Sequence, residues 1–201
     1  MSFLKSDVKL LLVILFISSA GQIFSQDDDK RDFFVGGMFL HAGFISNENT
    51  VSAVDGECHG IGGKGVFHIF HKFRAGIEGY ASNYSYPDNE GFYRLGWGGF
   101  TGDFLLYDKR LTVVISGTFG GGRVKDIYFL SDGQEADNFS VNYYTFTTLI
   151  VNPSISLEYR LKSNLKLTFK TDFISSLDQS ELNRKRFANG PRFYLGVLFC
   201  K

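Results

Sequence analysis

The residue types that most readily do chemistry here are three glycine runs, four histidines and a scatter of serines and acids. The glycine runs are Gly60 to Gly65, Gly96-Trp97-Gly98-Gly99 and Gly120-Gly121-Gly122. A phosphate-binding loop needs a strand, then the glycines, then a helix whose N-terminus meets the phosphate. No helical pattern follows any of the three. Glycine inside a strand instead marks a bend, a bulge or a close backbone approach, and tightly curved barrels need such kinks. Nucleotide binding is not expected.

His68 and His71 are three apart, so on a strand they point to opposite faces and cannot share a metal. His41 and His68 fit the same face of adjacent strands, which leaves room for a two-histidine site. No carboxylate or thiolate is evidently placed to complete a ligand set. Neither metal nor cofactor is expected. An acyl-transfer or hydrolytic centre would need serine, histidine and acid together. The candidates are His59, Ser85 and Asp88, or Ser175, Ser176 and Asp178, and neither set has a catalytic pattern.

A third group is larger: Lys64, Arg74, Glu78, Asp103, Glu158, Lys166, Lys170, Asp172 and Arg192. These charges of both signs recur on one face of strand-like runs. Their meaning depends on which way that face points, and the strands that carry them set it.

The plainest element is a hairpin from Arg94 to Arg123. Two glycine-studded, aromatic-rich runs flank the charged turn Asp108-Lys109-Arg110. In the second run Leu111, Val113, Ile115 and Phe119 share one face, and Thr112, Ser116 and Thr118 the other. Eight such stretches are read in all: 33–45, 60–70, 73–86, 92–107, 111–123, 140–159, 165–175 and 192–199. Strand four is the ambiguous one. Phe100, Phe104 and Leu106 mark one outer face, whereas Leu95, Trp97 and Leu105 mark the other. A bulge near Gly98-Gly99 would reconcile them.

The connections alternate. Those at His71-Lys72, Asp108 to Arg110 and Arg160 to Asn164 are short. Those at 46–59, 87–91, 124–139 and 176–191 are mostly longer and polar. That alternation marks an up-and-down barrel with short periplasmic turns and long exterior loops. Leu165, Leu167, Phe169 and Phe173 alternate with Lys166, Thr168, Lys170 and Asp172, and strands three, six and eight divide in the same way. Mixed charges packed inside a small barrel can pair, whereas each Lys or Arg on the lipid face near the midplane would cost roughly 2–4 kcal/mol. The charged set is therefore read as an interior network that fills the barrel. Phe33, Phe34, Tyr84, Tyr86, Tyr107, Tyr128 and Tyr159 lie near strand ends, where interfacial girdles form.

The chain of 201 residues begins with Lys5 and Lys9 before the apolar run Leu10 to Ile17, followed by small residues. This is the pattern of a secretory signal, with cleavage after Ala20 or, preferably, Ser25. The run is too short to span a bilayer as a helix. Residues 1–25 are thus read as a signal peptide and 26–201 as one barrel domain. Formal net charge is zero, and removing Lys5, Lys9 and Asp7 leaves 19 basic against 20 acidic residues. No basic footprint for nucleic acid exists. Cys58 in the first outer loop and Cys200 at the periplasmic end should lie a ~25 Å apolar band apart, too far for a disulfide. Glu48, Asp55 and Glu57 make the first loop acidic, Asp88 and Glu90 the second, and Asp126, Asp132, Glu135 and Asp137 the third. Arg184, Lys185 and Arg186 make the fourth basic, a possible contact for lipopolysaccharide phosphates.

The fold expected is all-β: an eight-stranded up-and-down antiparallel transmembrane β-barrel after a cleaved N-terminal signal peptide. The segments GWGGFTGDFLLYDKRLTVVISGTFGGGRV, VNPSISLEYRLKSNLKLTFKTDF and FYLGVLF resemble those of small outer-membrane β-barrel proteins of Bacteroidetes-type bacteria. The resemblance covers about two-thirds of the mature chain and implies fold and location rather than chemistry. Such barrels often end on an aromatic residue that marks them for the barrel-assembly machinery. Here Phe199 is followed by Cys200 and Lys201. The expectation is a monomeric outer-membrane protein, both termini periplasmic, in a non-enzymatic envelope or surface-interaction role. The alternatives are a small pore or transport protein, a lipid-modifying outer-membrane enzyme, or a soluble periplasmic ligand-binding barrel.

Overall fold

A computed structural model describes residues 32–50, 52–87, 91–131 and 139–201. The expected signal segment lies outside these residues, as do Asp88, Glu90, Asp132, Glu135 and Asp137. Eight antiparallel strands form a closed barrel in sequence order. They are β1 (Phe34–Ser46), β2 (Asp55–Phe70), β3 (Phe73–Ser85), β4 (Phe92–Asp108), β5 (Leu111–Ser131), β6 (Phe139–Lys162), β7 (Leu165–Ser176) and β8 (Gly190–Cys200). β1 pairs with β8 to close the ring. Reciprocal backbone hydrogen bonds of 2.9 Å between Phe34 and Lys201 finish the seam.

The period-2 pattern decides which side chains face in. On β7 and β8, Lys166, Thr168, Lys170, Asp172, Arg192, Tyr194 and Leu198 are buried, whereas Leu167, Phe169, Phe173, Phe193, Leu195 and Phe199 are exposed. The apolar faces thus cover the outside and the charged faces fill the inside. From Leu111 to Gly121 the outward face of β5 carries no charge. At ~3.3 Å per residue and a tilt of roughly 40°, this run rises about 25 Å, the height of an outer-membrane barrel's apolar band.

One end of the barrel carries the three short turns, and each has a bulge beside it. The register shifts between His68 and Phe70, between Leu105 and Tyr107, and between Arg160 and Lys162. An extra residue raises local twist, which suits a strand about to reverse. Pairing runs unbroken through Gly98 and Gly99, so the expected bulge there is absent and the irregularity sits at Leu106. Leu95, Trp97 and Leu105 all point inward, while Phe100, Phe104 and Leu106 point outward.

At the other end the strands are longer than expected. β2 begins at Asp55, so Cys58 is a buried strand residue rather than part of a loop, and Asp55 and Glu57 belong to the strand with it. The β5–β6 hairpin continues to the pair Ser131–Phe139, so Asp126, read as a loop acid, is a buried strand residue. The segment between β7 and β8 contains a short helix, α1 (Glu181–Arg186), where no helix was expected.

Candidate functional site: the filled interior

Near the turn end, ion pairs join five strands across the lumen. Arg74 on β3 is at their centre and fully buried. Its Nε donates to Asp103 Oδ2 at 3.1 Å, and its two terminal nitrogens donate to Glu158 at 3.0 and 2.6 Å. Lys64 Nζ lies 2.5 Å from the other Asp103 oxygen. Lys166 Nζ lies 3.5 Å from Glu158 and 3.2 Å from Asp32, which accepts two further bonds from Arg160 at 3.1 and 2.6 Å. Charge-assisted, bidentate pairs of this kind offset much of the desolvation of their members.

A second cluster lies nearer mid-height. Lys170 Nζ donates to Glu78 at 2.8 Å, reaching from β7 to β3, and the Thr118 hydroxyl donates to the other Glu78 oxygen. The same ammonium sits 5.0 and 5.1 Å from the ring centroids of Tyr80 and Tyr194, a cation–π arrangement that supports a desolvated charge. Phe39, Tyr80, Trp97 and Tyr194 pack edge to face or tilted around it. Glycines give these rings room. A Cβ at Gly62 would collide with the Tyr80 ring.

Asp172 accepts from Asn152 Nδ2 at 2.8 Å. This contact sits where β6–β7 pairing is interrupted, at unchanged register, between Val151–Ser175 and Ser154–Asp172. Pro153 has no N–H to give that ladder, and the Asn152 side chain ties the two strands instead. Arg192 is fully buried opposite Asp172, yet it is absent from the ion pairs within 4.0 Å among the described residues.

The loop end is capped. Val54, Phe187 and Ala188 are buried there with Ile45, Leu95, Val124, Ile150 and Ile174. Asp126 anchors the cap, accepting from Ser52 Oγ at 2.6 Å and Tyr86 Oη at 2.8 Å. Burial and the Asp126 carboxylate push the Tyr86 hydroxyl well above its ordinary range, so it stays a donor. The Ala188 amide donates to Tyr93 Oη at 2.9 Å. Reciprocal backbone bonds join Ser46 to Asn189, and the Glu48 amide donates to Lys185 O.

All nine charged residues singled out by pattern face this interior, seven of them in the ion pairs above and Asp172 through a looser contact of 3.8 Å with Lys170. The pattern missed three. Asp32 precedes β1 and has no periodicity to reveal it. Arg160 shares the inner face of β6 with Glu158 but also opens the short connection to Asn164, and it stood outside the charged set. Asp126 continues the inner alternation of Thr118 and Val124, and extending the β5 period would have found it.

Other candidates disperse. His41 Nε2 lies 2.8 Å from Ser82 Oγ. Gly60 pairs with His41 on β1, and His68 lies eight residues further along β2, about 26 Å at ~3.3 Å per residue. The two-histidine site is not formed. Ser176 Oγ meets Thr148 Oγ at 2.6 Å and accepts from the Asp178 amide, while Asp178 accepts from the Ser180 amide and Asn183. His59 and Ser85 are exposed on the outer wall. Tyr84 and Tyr86 are buried in the cap with Tyr128 against them, so they belong to no girdle. The basic trio of α1 is divided. Lys185 pairs with Glu181 at 2.7 Å, Arg186 lies 3.7 Å from the Tyr144 ring centroid, and Arg184 is exposed.

No family model and no curated protein matches the sequence. Solved structures do match the fold. The attachment invasion locus protein Ail of Yersinia pestis is 11% identical with a TM-score of 0.56, over 85% of this chain and 100% of that one. OprG from Pseudomonas aeruginosa is 8% identical with a TM-score of 0.56, over 86% and 97%. Neisserial surface protein A is 14% identical with a TM-score of 0.51, over 83% and 95%. What is shared at such identities is the architecture, and the architecture is that of the small eight-stranded outer-membrane barrels.

Proposed function

We propose that this chain is a monomeric integral outer-membrane β-barrel. Residues 1–25 direct its export, the barrel-assembly machinery inserts it, and both termini lie in the periplasm. Its role is non-enzymatic, in envelope structure or surface interaction through the loops. One observation carries this reading: the barrel is inside-out relative to a soluble one. Met38, Leu40, Ile61, Ile77, Phe100, Phe119 and Leu149 are each more than half exposed, while Arg74, Asp103 and Arg192 are fully buried. Water would penalise so continuous an apolar wall, and lipid does not.

The interior speaks for a plug rather than a pore, because Arg74–Glu158 and Lys170–Glu78 cross the lumen. His41 Nε2 meets Ser82 Oγ at 2.8 Å, but both side chains are buried within the lumen, while His59 and Ser85 lie exposed on the outer wall. Exposed Arg184 and Lys185 remain able to meet lipopolysaccharide phosphates, though Lys185 shares its charge with Glu181. Epitopes placed between β5 and β6 and after Lys201 test the orientation. On intact cells the internal epitope should bind antibody, and the terminal one only after permeabilisation. The reverse pattern would overturn the proposal.

A further inference from the structure

Three cations stand together on the outward wall near the loop end. Arg94 on β4 lies directly opposite Lys125 on β5, and Arg123 lies opposite Gly96 one outward position below. Like charges opposed across two strands repel. None of the three belongs to an ion pair of the described residues, and Asp126, between Arg123 and Ile127 in sequence, points into the lumen. Their contacts are neutral. Arg94 Nε donates to Asn83 Oδ1 at 2.6 Å and its guanidinium lies 5.5 Å from the Phe92 ring centroid, while Arg123 Nε donates to Thr145 Oγ1 at 3.4 Å.

Immediately towards the turn end lies an open groove of about 590 Å³, lined by Gly96, Gly98, Gly121, Arg123, Thr147 and Leu149. A Cβ at Gly96 or Gly121 would meet nothing within 4 Å, so barrel packing does not require glycine there. In register, Gly63, Gly79, Gly98 and Gly121 continue this bare strip across four strands. Exposed Ile77, Phe100 and Phe119 border it. Arg123 is the first charge above the ~25 Å apolar run of β5, so it sits at headgroup depth, where a basic side chain costs roughly 0–1 kcal/mol.

We propose that this wall binds one phosphorylated, multiply acylated glycolipid of the lipid A class. Its phosphate is held by Arg94, Arg123 and Lys125, and one acyl chain lies in the glycine groove. The inference rests on the membrane reading above, with the loop end in the outer leaflet. The cations alone would suit any phosphate. The groove beneath them selects an anion that also carries a chain.

Native mass spectrometry of the purified full-length protein with diphosphorylated lipid A tests this. The wild type should retain one lipid A, and excess inorganic phosphate should not displace it. Arg94→Gln/Arg123→Gln/Lys125→Gln should lower retention roughly tenfold or more, as should removing the lipid's phosphates. Gly96→Leu/Gly121→Leu, placed where an added Cβ meets nothing within 4 Å, should also lower it severalfold. The site is refuted if either variant, or the dephosphorylated lipid, binds as the wild type does. It is refuted equally if inorganic phosphate competes fully. The dephosphorylated-lipid and phosphate arms use only the wild type, so a variant that fails to fold leaves the test intact. Heat-dependent gel mobility separates the two failures. Its loss in the wild type removes the membrane reading and the site together, whereas unchanged lipid binding by heat-shifting variants removes the site alone.

Discussion

The Arg74 guanidinium on β3 grips the Glu158 carboxylate on β6 through two hydrogen bonds of 3.0 and 2.6 Å, spanning strands that are not neighbours in the sheet. Pairing between adjacent strands sets the barrel's circumference. A contact of this kind fixes its cross-section instead. Removing Arg74 leaves buried Glu158 only the looser 3.5 Å contact with Lys166, and breaking a buried pair typically costs about 3–5 kcal/mol. We expect Arg74→Met to lower unfolding free energy by that amount in urea titrations followed by Trp97 fluorescence. Arg74→Met/Glu158→Gln should recover part of the loss. Equal stability of Arg74→Met and wild type would mean that the cross-lumen pair contributes nothing.

Acid should weaken the turn end first. Burial raises the Asp32 pKa, but the hydrogen bonds and charges of Arg160 and Lys166 outweigh it and hold the group below its ordinary value of 3.8. A carboxyl held low in the folded state stabilises above its unfolded pKa, and the benefit disappears as pH falls through the folded one. Asp32→Asn should therefore be less stable than wild type at neutral pH, and the gap should narrow at an acid pH below the ordinary 3.8. Urea midpoints at the two pH values measure it. A gap independent of pH would contradict this role.

The cysteines give a check on topology. Val35 pairs with Cys200 and Gly43 with Cys58, so the two thiols stand eight β1 residues apart, about 26 Å at ~3.3 Å per residue. Cys58 is 1% exposed and Cys200 8%. Both should resist maleimide until the barrel is unfolded, and no internal crosslink should appear on non-reducing gels. Rapid labelling of Cys58 in the folded protein would place it in a loop after all.

The cap hangs on Asp126. Replacing it with leucine leaves Ser52 and Tyr86 without their acceptor, a loss of about 1–3 kcal/mol for buried groups. Hydrogen exchange at Val54 should accelerate while the β7–β8 ladder is unaffected. Exchange unchanged at Val54 would show that the cap is held without this anchor.

The fold was readable in sequence wherever one face was charged and the other apolar. Strands β3, β7 and β8 divide cleanly between Arg74, Lys170 or Arg192 inside and Ile77, Phe169 or Phe193 outside. β4 was hard to read because its loop half reverses the usual cue. Leu95 and Trp97 face an aromatic interior layer, while Gly96 and Gly98 face outward. Counting apolar residues there points the wrong way. The strands' extension to Asp55 and Ser131 was hidden for a related reason. Above the apolar band the outward face takes charges such as Lys125, so alternation no longer signals a strand. Asp32 and the α1 contacts depend on where distant segments meet, which no local pattern records.

Heat-dependent gel mobility of the outer-membrane fraction tests the central claim most directly. A closed barrel with a lipid-facing wall and an ion-paired interior should be found in that fraction. It should migrate as a compact form unheated and shift to its unfolded position on boiling in detergent. Recovery in the soluble periplasm, or one mobility under both conditions, would contradict the account.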